Sequence, residues 1–530
     1  RGPYLQVPTP TSMRVRWSSS QATNSLLRFG LAGSPPNMPV FDAQLTTDHD
    51  LLISGLQPGT EYEYTIGSTQ DTHAATNDQS FRTPPLAGTR TAFRTWVLGD
   101  SGTASKDARA VRDAWHAFSG GAAPDLWLML GDNAYPDGDQ DDYQHAVFDT
   151  YPQTLAASPL LATRGNHDKS VPTYETVFSL PTSGEAGGLA SGTEQYYSFD
   201  YANVHFVCLD SYGSSLALGA PMYTWLAADL AATTQDWIVA FWHHPPYTHG
   251  THNSDFDLIA GAIRSNYLPL LEASGVDLVL SGHSHVYERS FLIDGHYGDG
   301  ASFHPSMLVD GGDGKEQGDG AYNKDQRGAV YVVAGSSGTT REAAPGLDPH
   351  PTSYVRLDDT LGSAVLDVDG GRLSLLFLDS DGQVRDQLTL LGPSYEGQYC
   401  VGQVHSQGCT VDIQTNGVPS LSGGPFLLKA TETVPNTVGL FVYGFQPANL
   451  PLSIGRLCVS GSPTRVGIQA TGPGSACGGN LSFDFGNLLQ SGSDPALSIG
   501  TTTYAQAWVR DPQSSQGSAL SNAVQFIVLP

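Results

Sequence analysis

The middle of the sequence repeats one pattern five times, in which a short apolar run leads directly into a cluster of polar residues. Apolar runs of this length, followed by turn residues, are typical of buried β-strands. The five runs are 93–98, 125–130, 160–164, 237–242 and 278–281, and they lead into GDSG, GDNAY, GNHD, HHPPY and GHSH respectively. In α/β folds the loops after the carboxyl ends of strands aim side chains at a common point. The repetition therefore predicts a layered α/β domain in which the five clusters meet at one site.

Between the first two runs, the spacing of apolar residues changes to that of a helix. Ala108, Val111, Trp115 and Phe118 recur at intervals of three and four residues, which places them on one helical face. The sequence therefore predicts an amphipathic helix whose aromatic side chains join the core of this domain.

The segments on either side of the α/β domain have a different rhythm. Residues 1–88 contain short alternating runs between Pro and Gly turns, with Trp17 as a candidate core residue, a pattern typical of β-sandwiches. Residues 393–530 consist of short runs rich in Val, Leu, Phe, Ser and Thr with Gly turns between them, which also favours β-structure. A chain of 530 residues exceeds what one hydrophobic core supports. We therefore predict three domains, 1–88, 89–392 and 393–530.

Charge and hydropathy argue against several classes of partner. The formal net charge is -27, which disfavours binding to the phosphates of DNA or RNA. No apolar run in the sequence approaches the roughly 18 to 20 residues of a membrane helix, so we expect no membrane span. The sequence begins at Arg1 and passes at once into a strand-like run. From this start we expect a mature protein whose export signal is absent, located outside the cell, in the periplasm or at the cell surface.

The five cysteines are unevenly distributed along the chain. Cys400, Cys409, Cys458 and Cys477 fall in the last quarter, and Cys208 lies alone in an apolar run of the middle domain. By proximity we expect disulfides between Cys400 and Cys409 and between Cys458 and Cys477, which would indicate an oxidising compartment. A zinc site is the alternative, although no Cys-x-x-Cys spacing is present. We expect Cys208 to be a buried core residue.

Each polar cluster taken alone is consistent with an ordinary turn, because Gly-Asp and Asn-His pairs are common there. Together the clusters supply two carboxylates, a phenol, an amide oxygen and three imidazoles. These groups belong to Asp100, Asp132, Tyr135, Asn166, His243, His283 and His285. A mixed oxygen and nitrogen donor set suits iron, zinc or manganese. The sequence therefore predicts a metal site where the clusters converge.

The order of the clusters resembles that of a known family. GDxG, GDxxY, GNH, a His at the end of a strand and GHxH follow one another, and the last continues as GHSHVYER over residues 282–289. This order is similar to that of the purple acid phosphatases, which belong to the calcineurin-like metallophosphoesterases. The resemblance covers about residues 1–392, because family members also carry an N-terminal fibronectin type III-like domain. The run LQPGTEYEY at 56–64 is similar to the tyrosine corner of such domains.

The resemblance implies a multidomain fold of the α/β plus all-β class. The implied parts are an N-terminal β-sandwich and a central two-sheet metallophosphoesterase core flanked by helices. The C-terminal β-domain, of unknown role, lies outside the resemblance.

The resemblance also implies a role for each metal ligand. One metal would be bound by Asp100, Tyr135 and His285, the other by Asn166, His243 and His283, and Asp132 would bridge the two. His244 is a weaker candidate, because its neighbour holds the family's position in the His-x-Pro pattern. A tyrosine ligand implies ferric iron, paired with a divalent zinc, iron or manganese ion.

The implied function is metal-dependent hydrolysis of small phosphate esters, in the first place an acid phosphatase activity on monoesters. About five positive charges would face two aspartates, a tyrosinate and a hydroxide, so the site would attract phosphate even in an acidic protein. The metal-bound hydroxide would attack phosphorus, and no covalent protein nucleophile is needed.

Three further histidines are candidate catalytic residues. His167 follows the ligand Asn166 and matches the family's histidine beside the metal centre, where it would protonate the leaving group. His252 is nearest to the family's phosphate-contacting position, and His249 lies in the same loop. Family members differ most in this loop, so the sequence leaves the identity of the proton donor open.

Alternatives to this function remain at the level of the sequence. A phosphodiesterase or phosphotriesterase would use an almost identical metal set. A surface adhesion or carbohydrate-binding protein is an alternative of another class, because both flanking segments are predicted β-modules. The complete set of predicted metal ligands argues against it. The sequence indicates neither the role of the C-terminal module nor the oligomeric state.

Overall fold

The computed structural model describes residues 1–70, 79–324, 327–343, 347–392, 397–417, 419–422, 424–452, 455–499 and 501–528. The chain divides into two compact units. The first comprises Arg1–Gly311, Gln326–Asp369 and Leu373–Leu388, and the second comprises Gly312–Asp325, Gly370–Arg372 and Thr389–Pro530. The first unit thus takes in the predicted N-terminal domain together with most of the predicted catalytic domain. The domain boundaries at 88 and 392 stay predictions.

The first unit begins with an antiparallel sheet of five strands. They are β1 Tyr4–Thr9, β2 Ser12–Leu31, β3 Met38–Ser54, β4 Glu61–Gly67 and β5 Gln79–Arg82. The first part of β2 pairs with β1 and its last part pairs with β4. Alternate residues of β2 point inward, so Met13, Val15 and Trp17 are buried in one core. The predicted β-structure of this segment and the core position of Trp17 are confirmed.

The turn before β4 is closed by the tyrosine that the sequence singled out. The hydroxyl of Tyr62 accepts a hydrogen bond from the backbone N–H of Gln57 at 2.9 Å. A tyrosine that bonds to the backbone a few residues upstream is the feature that defines a tyrosine corner.

The N-terminal sheet packs against the α/β part of the same unit. The buried Tyr64 hydroxyl donates to the carbonyl of Ala156 at 2.7 Å, and the Tyr4 hydroxyl donates to the carbonyl of Val177 at 3.0 Å. A bridge between Leu5 and Pro159 joins β1 to the residue that precedes the third apolar run. The sheet therefore braces the segment that leads into the GNHD cluster.

The α/β part has the predicted alternation of strands and helices. Its strands, with those that follow up to residue 391, are β6 Phe93–Leu98, β7 Leu126–Met129, β8 Leu160–Ala162, β9 Tyr197–Tyr201, β10 Val204–Cys208, β11 Trp237–Phe241, β12 Leu278–Ser281, β13 Tyr287–Ser290, β14 Leu292–Ile293, β15 Leu308–Asp310, β16 Tyr322–Asn323, β17 Val330–Ala334, β18 Ser353–Leu357, β19 Gly362–Asp369, β20 Arg372–Asp379 and β21 Val384–Leu391. The helices are α1 Lys106–Phe118, α2 Gln140–Tyr143, α3 Pro152–Ala157, α4 Val171–Val177, α5 Pro221–Ala232, α6 Leu258–Ala262 and α7 Leu268–Ala273. Short π-helical turns follow α2 at Gln144–Phe148 and α6 at Ile263–Tyr267, and 3₁₀ turns lie at Gly300–Ser302 and Pro305–Met307.

Two sheets form the core of this part. One runs in the order β18–β13–β17–β12–β11–β10–β9, and the other, within the first unit, runs in the order β21–β20–β19–β6–β7–β8. Strands β10, β11, β12 and β17 are parallel neighbours, as are β6, β7 and β8. The five strands that precede the polar clusters, β6, β7, β8, β11 and β12, are therefore all among the parallel strands of the two sheets. The predicted two-sheet α/β core is confirmed.

The predicted amphipathic helix is α1. Ser105 caps it by accepting hydrogen bonds from the N–H groups of Asp107 and Ala108, which satisfies two donors of the first turn. Val111 and Trp115 are buried, and the Trp115 ring stacks on Trp96 of β6 at 5.3 Å between centroids. The aromatic residues of this helix serve the core, as expected.

The second unit is rich in antiparallel strands. Its strands after residue 396 are β22 Gly397–Tyr399, β23 Asp412–Asn416, β24 Leu427–Thr433, β25 Val438–Gly444, β26 Gln446–Leu452, β27 Gly455–Ser460, β28 Thr464–Ala470, β29 Gly479–Asp484, β30 Thr502–Arg510 and β31 Ser518–Ile527, with one helix, α8 Phe485–Ser491. They form a sheet in the order β22–β31–β30–β25–β28, a second in the order β23–β24–β29 and a hairpin of β26 and β27. Phe426, Phe441, Phe485 and Phe526 lie in the shared core. The predicted C-terminal β-module is confirmed.

The four cysteines of this module form two disulfides, but the predicted pairing is wrong. The bonds join Cys400 to Cys458 and Cys409 to Cys477, whose positions differ by 58 and 68 along the chain. Cys208 is buried and takes no part in a disulfide, as predicted.

Neighbouring strands, and not proximity along the chain, decide this pairing. Cys400 directly follows β22, and the hydroxyl of Tyr399 donates to the carbonyl of Cys458 on β27. The turn that contains Cys409 faces Cys477, because the side chain of Gln407 accepts from the Cys477 N–H at 3.0 Å. Each bond closes a long loop, and such bonds restrict the unfolded chain more than the short loops that proximity predicted.

Within the described part of the chain, no helix has both the length and the apolar character needed to cross a membrane.

A buried ionic cluster lies at the β9 edge of the sheet that runs from β18 to β9. The ring of His205 on β10 lies 2.7 Å from a carboxylate oxygen of Asp200 on β9 and 2.9 Å from one of Asp229 on α5. Burial disfavours a charged imidazole, but hydrogen bonds to the two carboxylates outweigh it and raise the pKa of His205 to about 9. The cationic form of His205 therefore stabilises the folded chain.

This cluster predicts a pH-dependent loss of stability. The pKa of His205 is higher in the folded chain than the ordinary histidine value of 6.5, so its stabilisation is complete below about pH 6.5 and disappears as the pH rises through about 9. The shift corresponds to roughly 3 kcal/mol. Urea unfolding at pH 6 should show His205→Gln less stable than the wild type by about this amount, and the gap should close near pH 10. The exposed His145→Gln is the control, and a gap that stays constant with pH would contradict the assignment.

Candidate metal centre

The five polar clusters come together at the carboxyl ends of β6, β7, β8, β11 and β12. All seven side chains predicted to bind metal are linked there by contacts of 3.0 to 3.4 Å between potential ligand atoms. These contacts fall into two sets.

The first set is a triangle of Asp100, Tyr135 and His285. The Tyr135 hydroxyl lies 3.3 Å from Asp100 Oδ1 and 3.2 Å from His285 Nε2, and the last two atoms are 3.4 Å apart. Ligand atoms about 2.1 Å from one metal ion are separated by about 3.0 to 3.4 Å in octahedral or tetrahedral geometry. The triangle therefore has the dimensions of one face of a metal site.

The second set is centred on the ring of His243. His243 Nε2 lies 3.0 Å from Asn166 Oδ1 and 3.2 Å from His283 Nδ1. Its other ring nitrogen, Nδ1, donates to the carbonyl of Leu130 at 2.9 Å. Because this bond holds the proton on Nδ1, the Nε2 lone pair of the neutral ring is directed toward the site, the usual arrangement of a metal-binding histidine.

Asp132 connects the two sets through its two carboxylate oxygens. Oδ1 lies 3.4 Å from His243 Nε2, and Oδ2 accepts from the Tyr135 hydroxyl at 3.0 Å. The N–H of His167 donates to Oδ1 at 2.7 Å and holds the carboxylate in place. The arrangement fits a carboxylate that bridges two ions.

Burial of these groups produces strong electrostatic coupling. Burial alone would raise the pKa of Asp132, but the interaction with His243 outweighs it and holds that pKa well below its usual range. Burial likewise opposes charging of His243, yet the carboxylates of Asp132 and Asp100 raise its pKa to about 9.

For Tyr135 the same surroundings favour the neutral form, whereas they favour the charged forms of Asp132 and His243. Burial, followed by the charges of Asp100 and Asp132, raises the pKa of Tyr135. Cations bound among these groups reverse this effect and favour the phenolate. Two buried carboxylates, a phenol, an amide oxygen and three imidazoles therefore suit a pair of cations by both charge and donor type.

The backbone turns at the strand ends are unusual. Asp100, Asp132 and His283 have φ values of +56°, +49° and +66°, in the left-handed region, where a residue other than glycine costs about 1 to 3 kcal/mol. A strained backbone conformation of this kind persists only where the surrounding contacts hold it in place. Here it turns three side chains toward one point directly after the strands end.

A glycine makes the closest of these turns possible. A Cβ atom at Gly165 would lie 2.1 Å from the backbone nitrogen of Asp132 and 2.2 Å from its Oδ1. The GNHD and GDNAY loops approach each other at this point, so only a hydrogen fits between them.

The predicted catalytic histidines take different positions. The ring of His167 lies over Tyr135 at 4.4 Å between centroids, and its Nδ1 donates to the carbonyl of Pro136 at 2.7 Å. The exposed ring of His252 stacks on His283 at 3.9 Å. Both therefore border the site, and their catalytic roles stay predictions.

His249 and His244 have other surroundings. The His249 ring contacts Asp255, the carbonyl of Asp348 and His350, which are not among the seven predicted ligands. His244 packs against His283 at 4.3 Å, and its Nδ1 lies 2.9 Å from Ser211 Oγ. Burial lowers the pKa of His244 to about 3, so its ring is neutral beside the site.

Sequence reasoning missed the residues that hold the ligand loops together. Asp168 Oδ2 accepts from the N–H groups of Gly165 and Asn133, and Tyr143 donates to Oδ1 at 2.6 Å. Thr251 Oγ1 accepts from the N–H of His285 at 3.0 Å. Asp168 belongs to the GNHD cluster and could have been found there, whereas the sequence carried no signal for Thr251.

Two family profiles match this chain. Residues 93–287 match the calcineurin-like phosphoesterases, and residues 1–83 match the N-terminal domain of purple acid phosphatases.

Curated relatives and solved structures agree with these matches. Probable purple acid phosphatase 20 of Arabidopsis thaliana is 30% identical over 315 residues, which cover 54% of this chain and 68% of that protein. Purple acid phosphatase 15 of the same plant is 28% identical over 343 residues, and the chain spans only 57% of its length. The purple acid phosphatase PPD1 from yellow lupin (Lupinus luteus) seeds shares 18% identity, with a TM-score of 0.55 over 73% of this chain and 74% of that one. At this identity the likeness to PPD1 is one of fold.

The close approach at Gly165 gives a direct test of the assembled site. Gly165→Ala should displace Asp132, lower metal content after purification and destabilise the chain by about 1 to 3 kcal/mol. Gly261→Ala is the control, because a Cβ there meets no atom within 4 Å. Metal analysis and thermal unfolding measure both effects. Wild-type metal content in Gly165→Ala would contradict this account of the site.

Proposed function

Because the chain belongs to the purple acid phosphatase family, we propose that it hydrolyses small phosphate esters at a dinuclear metal centre. The observation that supports this most strongly is the division of the Asp132 carboxylate between two sets of potential ligands. A site for a single metal ion would require only one of these two sets of ligands.

The proposal assigns the ligands as two groups with one bridge. One ion is held by Asp100, Tyr135 and His285, the other by Asn166, His243 and His283, and Asp132 contacts both. A pair of ions bound here supplies an activated water and neutralises the charge of the phosphate oxygens. The protein chain contributes the fixed donor geometry and the exclusion of other ligands.

We assign ferric iron to the ion that Tyr135 contacts. The phenolate is a hard, anionic donor, and the two carboxylates beside it add charge that suits a trivalent ion. A divalent zinc, iron or manganese ion would occupy the second position, where two imidazoles and an amide form a softer, neutral set.

His167 is assigned the task of protonating the leaving group. Its Nδ1 donates to the Pro136 carbonyl at 2.7 Å, so Nε2 carries a proton only when the ring is a cation. We assign contact with the phosphate or its substituent to His252, and its exposed ring, stacked on His283, supports this assignment.

We also assign the protein to an extracellular, periplasmic or cell-surface location. Disulfides persist in oxidising compartments, and the C-terminal module contains two of them. The excess of acidic residues, with a net charge of -27, supports small phosphate esters over nucleic acids as substrates.

Substitution of the tyrosine tests the iron assignment and the activity together. The purified protein should contain iron, absorb visible light and hydrolyse an aryl phosphate monoester at acidic pH. Tyr135→Phe should abolish the absorption band and weaken iron retention by about 10-fold or more. Tyr212→Phe, which changes an exposed tyrosine, should retain both.

The outcomes separate the alternatives. An active but colourless and iron-free protein would overturn the iron assignment and leave a phosphoesterase with other metals. Faster hydrolysis of aryl diesters or triesters than of monoesters would overturn the monoesterase assignment. A metal-loaded protein without activity on any of the three would contradict the proposed function.

Replacement of the proposed proton donor should affect turnover without affecting the metals. His167→Ala should keep its metal content and lower kcat by about 100-fold for esters with poor leaving groups. Phenols that leave readily need less protonation, so they should be affected less. The measurement is a series of aryl phosphates of graded leaving-group pKa, in wild type and variant. Equal losses across the series would show that His167 does not donate the proton.

A further inference from the structure

A second cluster of potential metal ligands lies outside the candidate centre. His249 and Asp255 belong to the loop between β11 and α6, and His350 lies shortly before β18. One ligand atom from each of the three residues lies within 4.8 Å of the others. None of the three is among the seven predicted ligands of the dinuclear centre.

Asp255 faces both histidines with separate oxygens. His249 Nε2 lies 3.1 Å from Oδ2, and His350 Nε2 lies 3.5 Å from Oδ1. The two imidazole rings are 4.8 Å apart between centroids, with their planes at 74°. Ligands about 2.1 Å from a tetrahedral zinc ion are separated by about 3.4 Å, so both nitrogen-to-oxygen distances fit one shared ion.

The hydrogen bonds of His249 direct a lone pair toward the cluster. Its Nδ1 donates to the carbonyl of Asp348 at 2.9 Å, so Nε2 of the neutral ring is unprotonated. That nitrogen then faces a carboxylate oxygen at 3.1 Å, and two lone pairs at this distance repel each other. A cation between them turns the repulsion into two attractive contacts, and a carbonyl on the other ring nitrogen is the usual support of a metal-binding histidine.

His350 provides an independent observation. Its side chain is fully buried, and in the described part of the chain its Nε2 has no hydrogen-bond partner. The backbone N–H of Thr352 donates to Nδ1 at 3.3 Å, and Nδ1 also lies 2.8 Å from Thr352 Oγ1. A buried ring nitrogen without a hydrogen-bond partner destabilises the fold, and here it lies 3.5 Å from a carboxylate oxygen of Asp255.

Gly300 keeps the space beside these atoms open. A Cβ atom there would lie 3.0 Å from Asp255 Oδ2 and 3.2 Å from His350 Nε2. The N–H of Gly300 donates to Asp255 Oδ1 at 2.7 Å and fixes the carboxylate. The neighbouring guanidinium of Arg264 is directed away, at the carbonyls of Pro246 and Ser254.

We propose that His249, Asp255 and His350 bind a zinc ion that is separate from the dinuclear centre. Two imidazoles and one carboxylate form a donor set typical of zinc, and water completes the coordination. The ion would tie the loop that carries Thr251 and His252 to the segment before β18. This site is independent of the proposed hydrolysis, because its three ligands are not among the seven residues of the candidate centre.

Crystals of the full chain grown with zinc provide the first test. Anomalous difference maps on both sides of the zinc absorption edge should show a peak among His249, Asp255 and His350. The absence of a peak there, in a crystal whose dinuclear centre does contain metal, would overturn the proposal.

Metal analysis of variants provides the second test. Wild-type protein equilibrated with zinc and desalted should contain one more equivalent of metal than Asp255→Asn or His350→Gln. Asp255→Asn keeps the shape of the side chain, and the exposed His304→Gln is the control that should lose no metal. Equal metal content in all four proteins would contradict the site.

The dinuclear centre provides a control that distinguishes loss of the zinc site from misfolding of a variant. Each variant should keep its visible absorption band, or, if the wild type has none, its other bound metals. A variant that loses all its metals reports unfolding, and the anomalous map of the wild type then decides the question.

Discussion

Desolvation of two carboxylates, Asp100 and Asp132, governs the construction of the first unit. Their exposed fractions are 0% and 2%, and a carboxylate removed from water destabilises a fold unless donors or cations replace the lost hydration. Asp100 Oδ2 accepts from the N–H of His283, and Asp132 Oδ1 accepts from the N–H of His167. The remaining oxygens face the Tyr135 hydroxyl. The two carboxylates can therefore be buried only because the loops that follow several different strands supply their hydrogen-bond donors.

This requirement explains the strained backbone and the tight glycine contact. The strands must end at the same depth, and the chain must then turn sharply, so Asp100, Asp132 and His283 take left-handed conformations. Core packing elsewhere in the unit, such as the stacking of Trp96 between Trp115 and Trp127, offsets the free-energy cost of these conformations. The site depends on the rigidity of both sheets, because a shift of one loop would leave a buried charge without its partner.

The sequence predicted those features that local chain signals determine. Asp100, Asp132 and Asn166 could be found because each directly follows an apolar run, and the parallel strands then bring the runs to one edge. The disulfides could not be paired, because Cys400 and Cys458 meet through strands that are distant along the chain. Proximity in sequence carries little information where the chain is extended between the two residues.

His249 shows a similar limit within a single loop. His249 and His252 are three residues apart in an irregular segment, so no helical or strand period relates the directions of their side chains. One ring stacks on His283 and the other faces Asp255. Only the backbone path of the loop, including the contact of Thr251 with the N–H of His285, determines this separation.

The same loop links the candidate centre to the second cluster. Thr251 and His252 contact His285 and His283 at one end, while His249 and Asp255 contact His350 at the other. The N–H of His249 also donates to Glu288 on β13, the strand that follows the GHSH cluster. A loop that is held by contacts at both ends has less conformational freedom than one that is not. His350, about a hundred residues away along the chain, therefore contacts the same loop that carries His252.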